Sequence, residues 1–143
     1  MLRVWVGLML LGGLTGALWA LGPGECVQGD CQEGQGQMRY ESGATYEGSF
    51  QQGHPSGQGV YAHPGGIHYE GSFQQGHFHG EGVLTSEDGR SYSGSFEEGA
   101  FHGYGEYRWP DGAIYTGEFD EGHFHEGVLQ YPDGTRRHFT PED

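Results

Sequence analysis

The sequence predicts an all-β protein in which tandem β-hairpins form one elongated, twisted antiparallel sheet. The first observation is an internal repeat of 23 residues, opened in each copy by a tyrosine: Tyr46, Tyr69, Tyr92 and Tyr115. The second is that each tyrosine is followed by Gly after two residues and by Phe after four. This alternation is typical of a strand with one buried face. No window has helical periodicity of useful length, so the repeat defines the architecture.

The composition favours a repeat array over a disordered chain. Of the 143 residues, 30 are Gly and 14% are aromatic, whereas disordered chains are typically poor in aromatic residues. Only 34% are hydrophobic, which is little material for a deep two-layer core. Each unit is therefore expected to bury its apolar face against its neighbours within a single domain.

Residues 1–20 are predicted to be a secretory signal peptide. Arg3 supplies a positive charge, an uncharged apolar run extends from Val4 to Leu18, and Ala20 provides a small residue at the cleavage point. The alternative is an uncleaved N-terminal anchor, because the run up to Leu21 is marginally long enough to span a membrane. We expect the protein to be secreted or periplasmic.

Residues 21–33 are predicted to cap the array through the only two cysteines, Cys26 and Cys31. In an exported chain, two cysteines so close in sequence indicate a local disulfide. Because the loop is short, the expected stabilisation is about 2 kcal/mol. A redox pair is disfavoured, since nothing here predicts the helix that usually accompanies one.

The array is predicted to cover residues 34–139, followed by a polar tail at 140–143. It consists of a half repeat at 34–45 and four repeats at 46–68, 69–91, 92–114 and 115–137, called here repeats 1 to 4. Within repeat 2, the strand that begins at Tyr69 is followed by a predicted turn over Gln74–Gly80 and by a second extended segment. Pro110-Asp-Gly and related triplets form the turns between repeats.

The fourth repeat differs from the others and is predicted to end the array. His125-Glu126-Gly127 lacks one glycine of the template, so the predicted turn is one residue shorter. Arg136 and Arg137 stand where a fifth tyrosine is due. Charges at this place suit an edge strand that must not pair further.

The charge of the chain excludes some classes of partner. The formal net charge is −14 and there is no lysine, so phosphate backbones are repelled and binding to anionic membranes is disfavoured. The chain also lacks Gly-x-Ser-x-Gly, His-Glu-x-x-His and phosphate-loop motifs. We therefore expect a non-enzymatic protein without a cofactor that presents an aromatic, acidic surface to another protein or to an envelope component.

The repeat resembles a known family. Tyr-x-Gly-x-Phe, then Gly-x-x-x-Gly-x-Gly, then Asp-Gly and a new Tyr after 23 residues is similar to the MORN (membrane occupation and recognition nexus) repeat. The resemblance covers Gly34 to about Gly134, and the cysteine-containing N-terminal segment is similar to that of exported bacterial members. It implies a β-hairpin array that acts as a scaffold or recognition surface, in some members linked to lipid binding. Members commonly carry Lys or Arg near the positions of His77 and Ala100, which this chain does not.

The candidate partner-binding residues lie at the predicted hairpin tips. They are Phe78, Phe101, Phe124, His77, His79, His102, His123 and His125. If the tips are exposed, the phenylalanines form an apolar stripe suited to a partner. If they are not, the phenylalanines fold back over the ends of the aromatic ladder, the row of Tyr and Phe rings that the repeats place along the sheet. The histidines support an alternative function, a divalent-metal-binding module. Because adjacent turns lie about 10 Å apart, four ligands would not readily converge, and no metal site is predicted.

Overall fold

The computed structural model describes residues 23–141 and confirms the predicted fold class. One sheet of eleven strands is formed, and each strand pairs antiparallel with the next in chain order. The strands are β1 (Gly24–Gly29), β2 (Gln35–Tyr40), β3 (Thr45–Gln51), β4 (His54–His63), β5 (Ile67–Gln74), β6 (His77–Thr85), β7 (Ser91–Glu97), β8 (Ala100–Arg108), β9 (Ile114–Asp120), β10 (His123–Gln130) and β11 (Arg136–Phe139). The predicted signal peptide and the last two residues of the predicted tail lie outside the described residues. In the part described, no helix is long and apolar enough to cross a membrane.

The two faces of the sheet differ as the alternation predicts. In β5, Tyr69, Gly71 and Phe73 are buried, whereas Glu70 is exposed and Ser72 is half-buried. We call the face that carries the buried rings the inner face and the opposite one the outer face. Because β3, β7 and β9 follow the same pattern, every repeat contributes its opening Tyr and Phe to one continuous core.

Aromatic rings link each repeat to the next along the inner face. The Tyr69 ring makes an edge contact with Phe73 of its own repeat, with centroids 5.0 Å apart, and another with Phe96 of the next repeat at 5.1 Å. The same geometry recurs one repeat further, where Tyr92 contacts Phe119 at 5.0 Å. Such pairs add about 0.5–1.5 kcal/mol each beyond their area burial. Stability is therefore shared between neighbouring repeats.

Glycine on the second strand makes room for these rings. A Cβ atom at Gly82 would lie 2.3 Å from the Tyr69 hydroxyl oxygen and 2.5 Å from its Cζ. With no side chain there, the tyrosine lies flat across the strand, and its hydroxyl donates a hydrogen bond of 2.8 Å to the Ser72 carbonyl. The buried tyrosine thus satisfies its polar group without reaching solvent.

The hairpin turn is tighter than the sequence prediction. In repeat 2 only Gln75 and Gly76 form the turn, with φ values of 49° and 77°, and β6 already begins at His77. Two central residues with positive φ are typical of the two-residue turns that match the twist of a hairpin. The prediction of a turn from Gln74 to Gly80 is therefore wrong, and His77-Phe-His belongs to the returning strand.

A bulge then bends the returning strand. The register between β5 and β6 shifts between Gly71 and Phe73, and Gly80 has φ of 72°, which only glycine adopts readily. The bend places the Phe78 ring flat on Tyr69, with centroids 3.9 Å apart and planes 12° from parallel. The aromatic ladder is covered in this way by the tip of its own hairpin.

The two ends of the sheet are capped in different ways. The disulfide between Cys26 and Cys31 is present, as predicted, and it closes the connection that follows β1. The sequence predicts only half a unit before repeat 1, but β1 supplies the missing strand without carrying the Tyr-x-Gly-x-Phe pattern. At the other end, β11 is a four-residue edge strand, and its Phe139 makes an edge contact with Tyr115 at 5.8 Å.

Candidate functional site

The predicted apolar stripe of phenylalanines is not on the surface. Phe78 and Phe101 are each only 1% exposed, and Phe124 is half-buried, with its ring centroid 4.5 Å from that of Tyr115. The interpretation of these rings as an exposed partner-binding stripe is wrong, because the bulge turns the tip back over the tyrosine of the same repeat. Of the two alternatives for Phe78 and Phe101, the structure supports the one in which they complete the aromatic core.

The predicted histidines remain accessible, but they do not form one cluster. His77 Nδ1 lies 3.0 Å from the carbonyl oxygen of Gln75 in the adjacent turn, and His79, two residues further along β6, is half-buried. His102 is different: its Nε2 lies 3.0 Å from a Glu97 carboxylate oxygen, and its Nδ1 lies 3.6 Å from one of Asp120.

The fourth repeat places its histidines on the outer side of the hairpin formed by β9 and β10. His123 and His125 are both exposed. His125 Nδ1 lies 3.5 Å from a Glu118 carboxylate oxygen on the neighbouring strand. The imidazoles of His102 and His125 thus lie beside carboxylates, whereas that of His77 contacts the backbone carbonyl of Gln75.

These contacts do not assemble a metal centre. Within residues 23–141, no group of three or more His, Cys, Asp and Glu side chains has an arrangement that could hold a metal ion. The alternative of a metal-binding module therefore receives no support from the geometry.

The core contains no acid–base pair suited to catalysis. Among the described residues, no charged side chain is buried. The buried ionisable groups are tyrosines, and burial raises the pKa of Tyr40, Tyr61 and Tyr115 to about 12. Such hydroxyls stay protonated at neutral pH. That of Tyr115 donates a hydrogen bond of 2.9 Å to the Glu118 carbonyl, whereas that of Tyr61 is buried without a hydrogen-bond partner.

An open groove lies between the tips of repeats 1 and 2. It has a volume of about 550 Å³ and is lined by Gln51, Gln52, His54, Ser56, Gln75 and His77. The lining has no carboxylate, arginine, Phe, Tyr or Trp, and its only rings are the imidazoles of His54 and His77. It therefore offers little charge and little stacking surface to select a ligand. The groove is a weaker candidate than the outer face.

A ladder of polar pairs crosses the outer face, and one rung is different. The Gln35 amide donates a hydrogen bond of 2.6 Å to the Ser49 hydroxyl, and the Gln58 amide donates one of the same length to Ser72. In the next rung, the Ser95 hydroxyl donates one of 2.5 Å to Glu81. The last rung replaces both partners: Tyr104 stands directly opposite Glu118.

The altered rung exposes an aromatic ring. Tyr104 is 65% exposed, the highest value among the exposed large hydrophobic residues of the described part, and Val83 and Val128 are 44% and 39% exposed. All three side chains lie on the outer face, opposite the aromatic core. Sequence reasoning missed Tyr104 because it was not aligned with Gln58 and Glu81, which lie at the same offset from the opening tyrosines of repeats 1 and 2.

Comparison with known proteins identifies the repeat. A family model for the MORN repeat matches the chain in four tandem segments, at residues 46–67, 69–89, 92–114 and 115–136. No curated protein matches the chain.

Proposed function

The chain belongs to the MORN-repeat family, and from this premise we propose that it is an exported, non-enzymatic scaffold whose outer face binds another protein or an envelope component. Repeat proteins of this kind present extended surfaces rather than enclosed pockets. The proposal places the interaction on the outer face of β3 to β10. The partner is expected to be neither a nucleic acid nor an anionic membrane, because the formal net charge is −14.

The observation that carries the proposal is the difference between the two faces of the sheet: the inner face is packed, and the outer face is exposed and variable. The inner face is not accessible to a partner, because the opening tyrosines of the repeats are packed in the core and are at most 1% exposed. The outer face varies from repeat to repeat and carries carboxylates, histidines and the exposed ring of Tyr104. A side chain that no packing constraint explains is a better candidate for recognition than one that the core requires.

Export is supported by two observations. The N-terminal 20 residues have the composition of a signal peptide, and the pairing of Cys26 with Cys31 is compatible with an oxidising compartment. The mature chain is expected to begin at Leu21. Mass spectrometry of protein recovered from the native cell would test this; recovery of the full-length chain from the cytoplasm alone would contradict export.

The interaction surface can be tested by photo-cross-linking in the native cell. A photoreactive amino acid is placed at Val83 or Ser93, two exposed residues that face each other on the outer face of β6 and β7. We expect a discrete adduct from both positions. Protease treatment then distinguishes a protein partner from a non-protein envelope component.

Glu87 provides the matched control. It is exposed in the turn that joins the same two strands, so it samples the same surroundings from the edge of the sheet. No discrete adduct is expected there. Adducts of equal yield from all three positions, or none from any, would refute a specific outer-face interaction.

A further inference from the structure

The rung formed by Tyr104 and Glu118 is the most distinctive feature of the outer face. In the preceding rungs, a Gln or Glu bonds to a Ser across the strands, as in Gln58 with Ser72. In repeat 3 the polar residue becomes a tyrosine, and in repeat 4 the serine becomes a glutamate. An exposed ring and an exposed carboxylate consequently stand side by side, where packing requires neither of them.

Further carboxylates surround this rung on the same face. Glu97 and Asp120 lie towards the hairpin tips, and both contact His102. Glu118 is 62% exposed in its side chain and is contacted by His125. The arginine nearest in sequence, Arg108, is already engaged by Glu106, with nitrogen–oxygen distances of 2.7 Å.

The corresponding tips of repeats 1 and 2 carry no charge. Gln74 and Gln75 occupy the places that Glu97 and Glu98 occupy in repeat 3, and the first turn residue has nearly the same φ in both, 49° at Gln75 and 48° at Glu98. The fold therefore accepts either side chain in the turn. The difference makes the outer surface of repeats 3 and 4 acidic, while that of the first two tips is neutral.

We infer that the outer face of repeats 3 and 4 binds an arginine-bearing segment of a partner protein, with a guanidinium stacked on Tyr104 and paired with Glu118. This inference rests on the proposed scaffold function and specifies the chemistry of its partner. Charge complementarity selects a cationic segment. The exposed ring selects arginine over lysine, because the planar guanidinium stacks on an aromatic face and presents a fork of donors to a carboxylate. Val128, exposed on the outer face of repeat 4, supplies apolar surface for the aliphatic stems of such side chains.

The test uses the full mature chain and two defined probes, an oligo-arginine peptide and an oligo-lysine peptide of equal length. Affinities are measured at low and at near-physiological salt and at about pH 8, above the ordinary pKa of histidine. We expect arginine to be preferred over lysine by about two- to fivefold, the range of an exposed stacked cation. Binding to both probes should weaken as salt is added.

The double variant Tyr104→Gln/Glu118→Ser rebuilds the rung that Gln58 and Ser72 already form in this protein. Because the sheet accepts that pair two repeats earlier, the variant is expected to fold with an unchanged circular dichroism spectrum. Affinity for oligo-arginine should fall by about threefold to thirtyfold, and the preference for arginine over lysine should disappear.

Two controls separate this site from the charge of the whole chain. Glu70→Ser removes one carboxylate from the outer face and installs the residue found at the same place in repeat 3, Ser93; it should weaken binding by less than about twofold. The converse double variant Gln58→Tyr/Ser72→Glu builds a second ring–carboxylate rung and should strengthen binding to oligo-arginine.

The outcomes distinguish this inference from the scaffold function. Equal losses in Glu70→Ser and in the double variant, or no arginine preference in the native chain, would overturn the arginine site. If the peptides fail but cross-linking from Val83 and Ser93 still captures a partner, the scaffold function stands and the inference about its chemistry is wrong. If cross-linking also fails, both are wrong.

Discussion

The inner and outer faces of the sheet are built from the same strands but follow opposite rules. On the inner face each repeat places Tyr and Phe at equivalent positions, and their rings contact the next repeat at nearly constant distances, such as 5.1 Å between Tyr69 and Phe96 and 5.0 Å between Tyr92 and Phe119. On the outer face the residues at one position change from Gln58 to Glu81 to Tyr104. The core requires uniformity, while the solvent-exposed face is free to vary.

This comparison shows where function is to be sought in a repeat protein. A residue that recurs in every copy is explained by the contact that it makes with its neighbours. A residue that departs from its copies, without a packing reason, is a candidate for recognition. Substitutions on the inner face should therefore affect stability, and those on the outer face should affect binding.

The largest effect is expected from alkaline pH, which acts on the inner face as a whole. Burial raises the pKa of Tyr40, Tyr61 and Tyr115 to about 12, from about 10 in an unfolded chain. The stability that these hydroxyls contribute is complete below pH 10 and is lost as the pH rises towards 12, because the unfolded chain releases its protons first. Between pH 10 and pH 12, each such tyrosine lowers the free energy of unfolding by about 1.4 kcal/mol per pH unit.

The measurement follows tyrosinate absorbance and circular dichroism together during a titration. We expect the buried tyrosines to ionise cooperatively with the loss of the sheet. Ionisation of all tyrosines near pH 10 with the sheet intact would show that the rings are less buried than the structure has them.

The next largest effect is expected for Phe101→Ala. The ring is 1% exposed and stacks on Tyr92 with centroids 3.9 Å apart, so its removal should lower the free energy of unfolding by about 3–5 kcal/mol. Tyr104→Gln, three residues further on but on the outer face, should change it by less than about 0.5 kcal/mol. Denaturant titration of both variants measures the two changes in the free energy of unfolding. Equal changes would contradict the difference between the inner and outer faces.

A smaller effect is expected from adding one methyl group to the inner face. Gly82→Ala should cost about 3 kcal/mol, because the new Cβ would lie 2.3 Å from the hydroxyl of Tyr69, which is fully buried. Gly76→Ala is the control: it has φ of 77° but nothing within 4 Å of the new atom. Backbone strain alone should cost about 1 kcal/mol there. Thermal unfolding of the two variants separates ring clash from turn strain.

The smallest effect is expected at the N-terminal end of the sheet. Reduction of the Cys26–Cys31 disulfide should cost about 2 kcal/mol, because the closed loop is short. The change should be local: amide hydrogen exchange should speed up in β1 and β2 and stay unchanged in β5 and β6. Loss of protection throughout the sheet would mean that the disulfide holds the whole array together.

The sequence predicted much of the fold because the same strand and turn patterns occur in all four repeats. Alternation in Tyr69-Glu-Gly-Ser-Phe73 was sufficient to assign a strand and its buried face, and both are confirmed. The turn was placed wrongly because Gln75 takes positive φ, which its side chain does not indicate. The bulge at Gly80 was missed for a related reason: a glycine in a strand pattern marks either a boundary or a bend.

The candidate site was harder to predict than the fold. The sequence drew attention to Phe78, Phe101 and the adjacent histidines, because they lay within predicted turns and departed from the family pattern. Only the bend of the strand decides that these phenylalanines point inward. Tyr104 lay in an extended segment and was not selected, although an aromatic side chain at this exposed place distinguishes repeat 3 from the repeats that carry Gln58 and Glu81.

By itself, the sequence determined the period, the antiparallel hairpin order, the aromatic inner face and the cysteine pair, because each depends on residue spacing along the chain. Only the tertiary structure decided which rings are covered and which are exposed. That outcome depends on register shifts and on bulges that rotate side chains relative to the sheet. The same aromatic character therefore stabilises the core at Phe101 and is available for recognition at Tyr104.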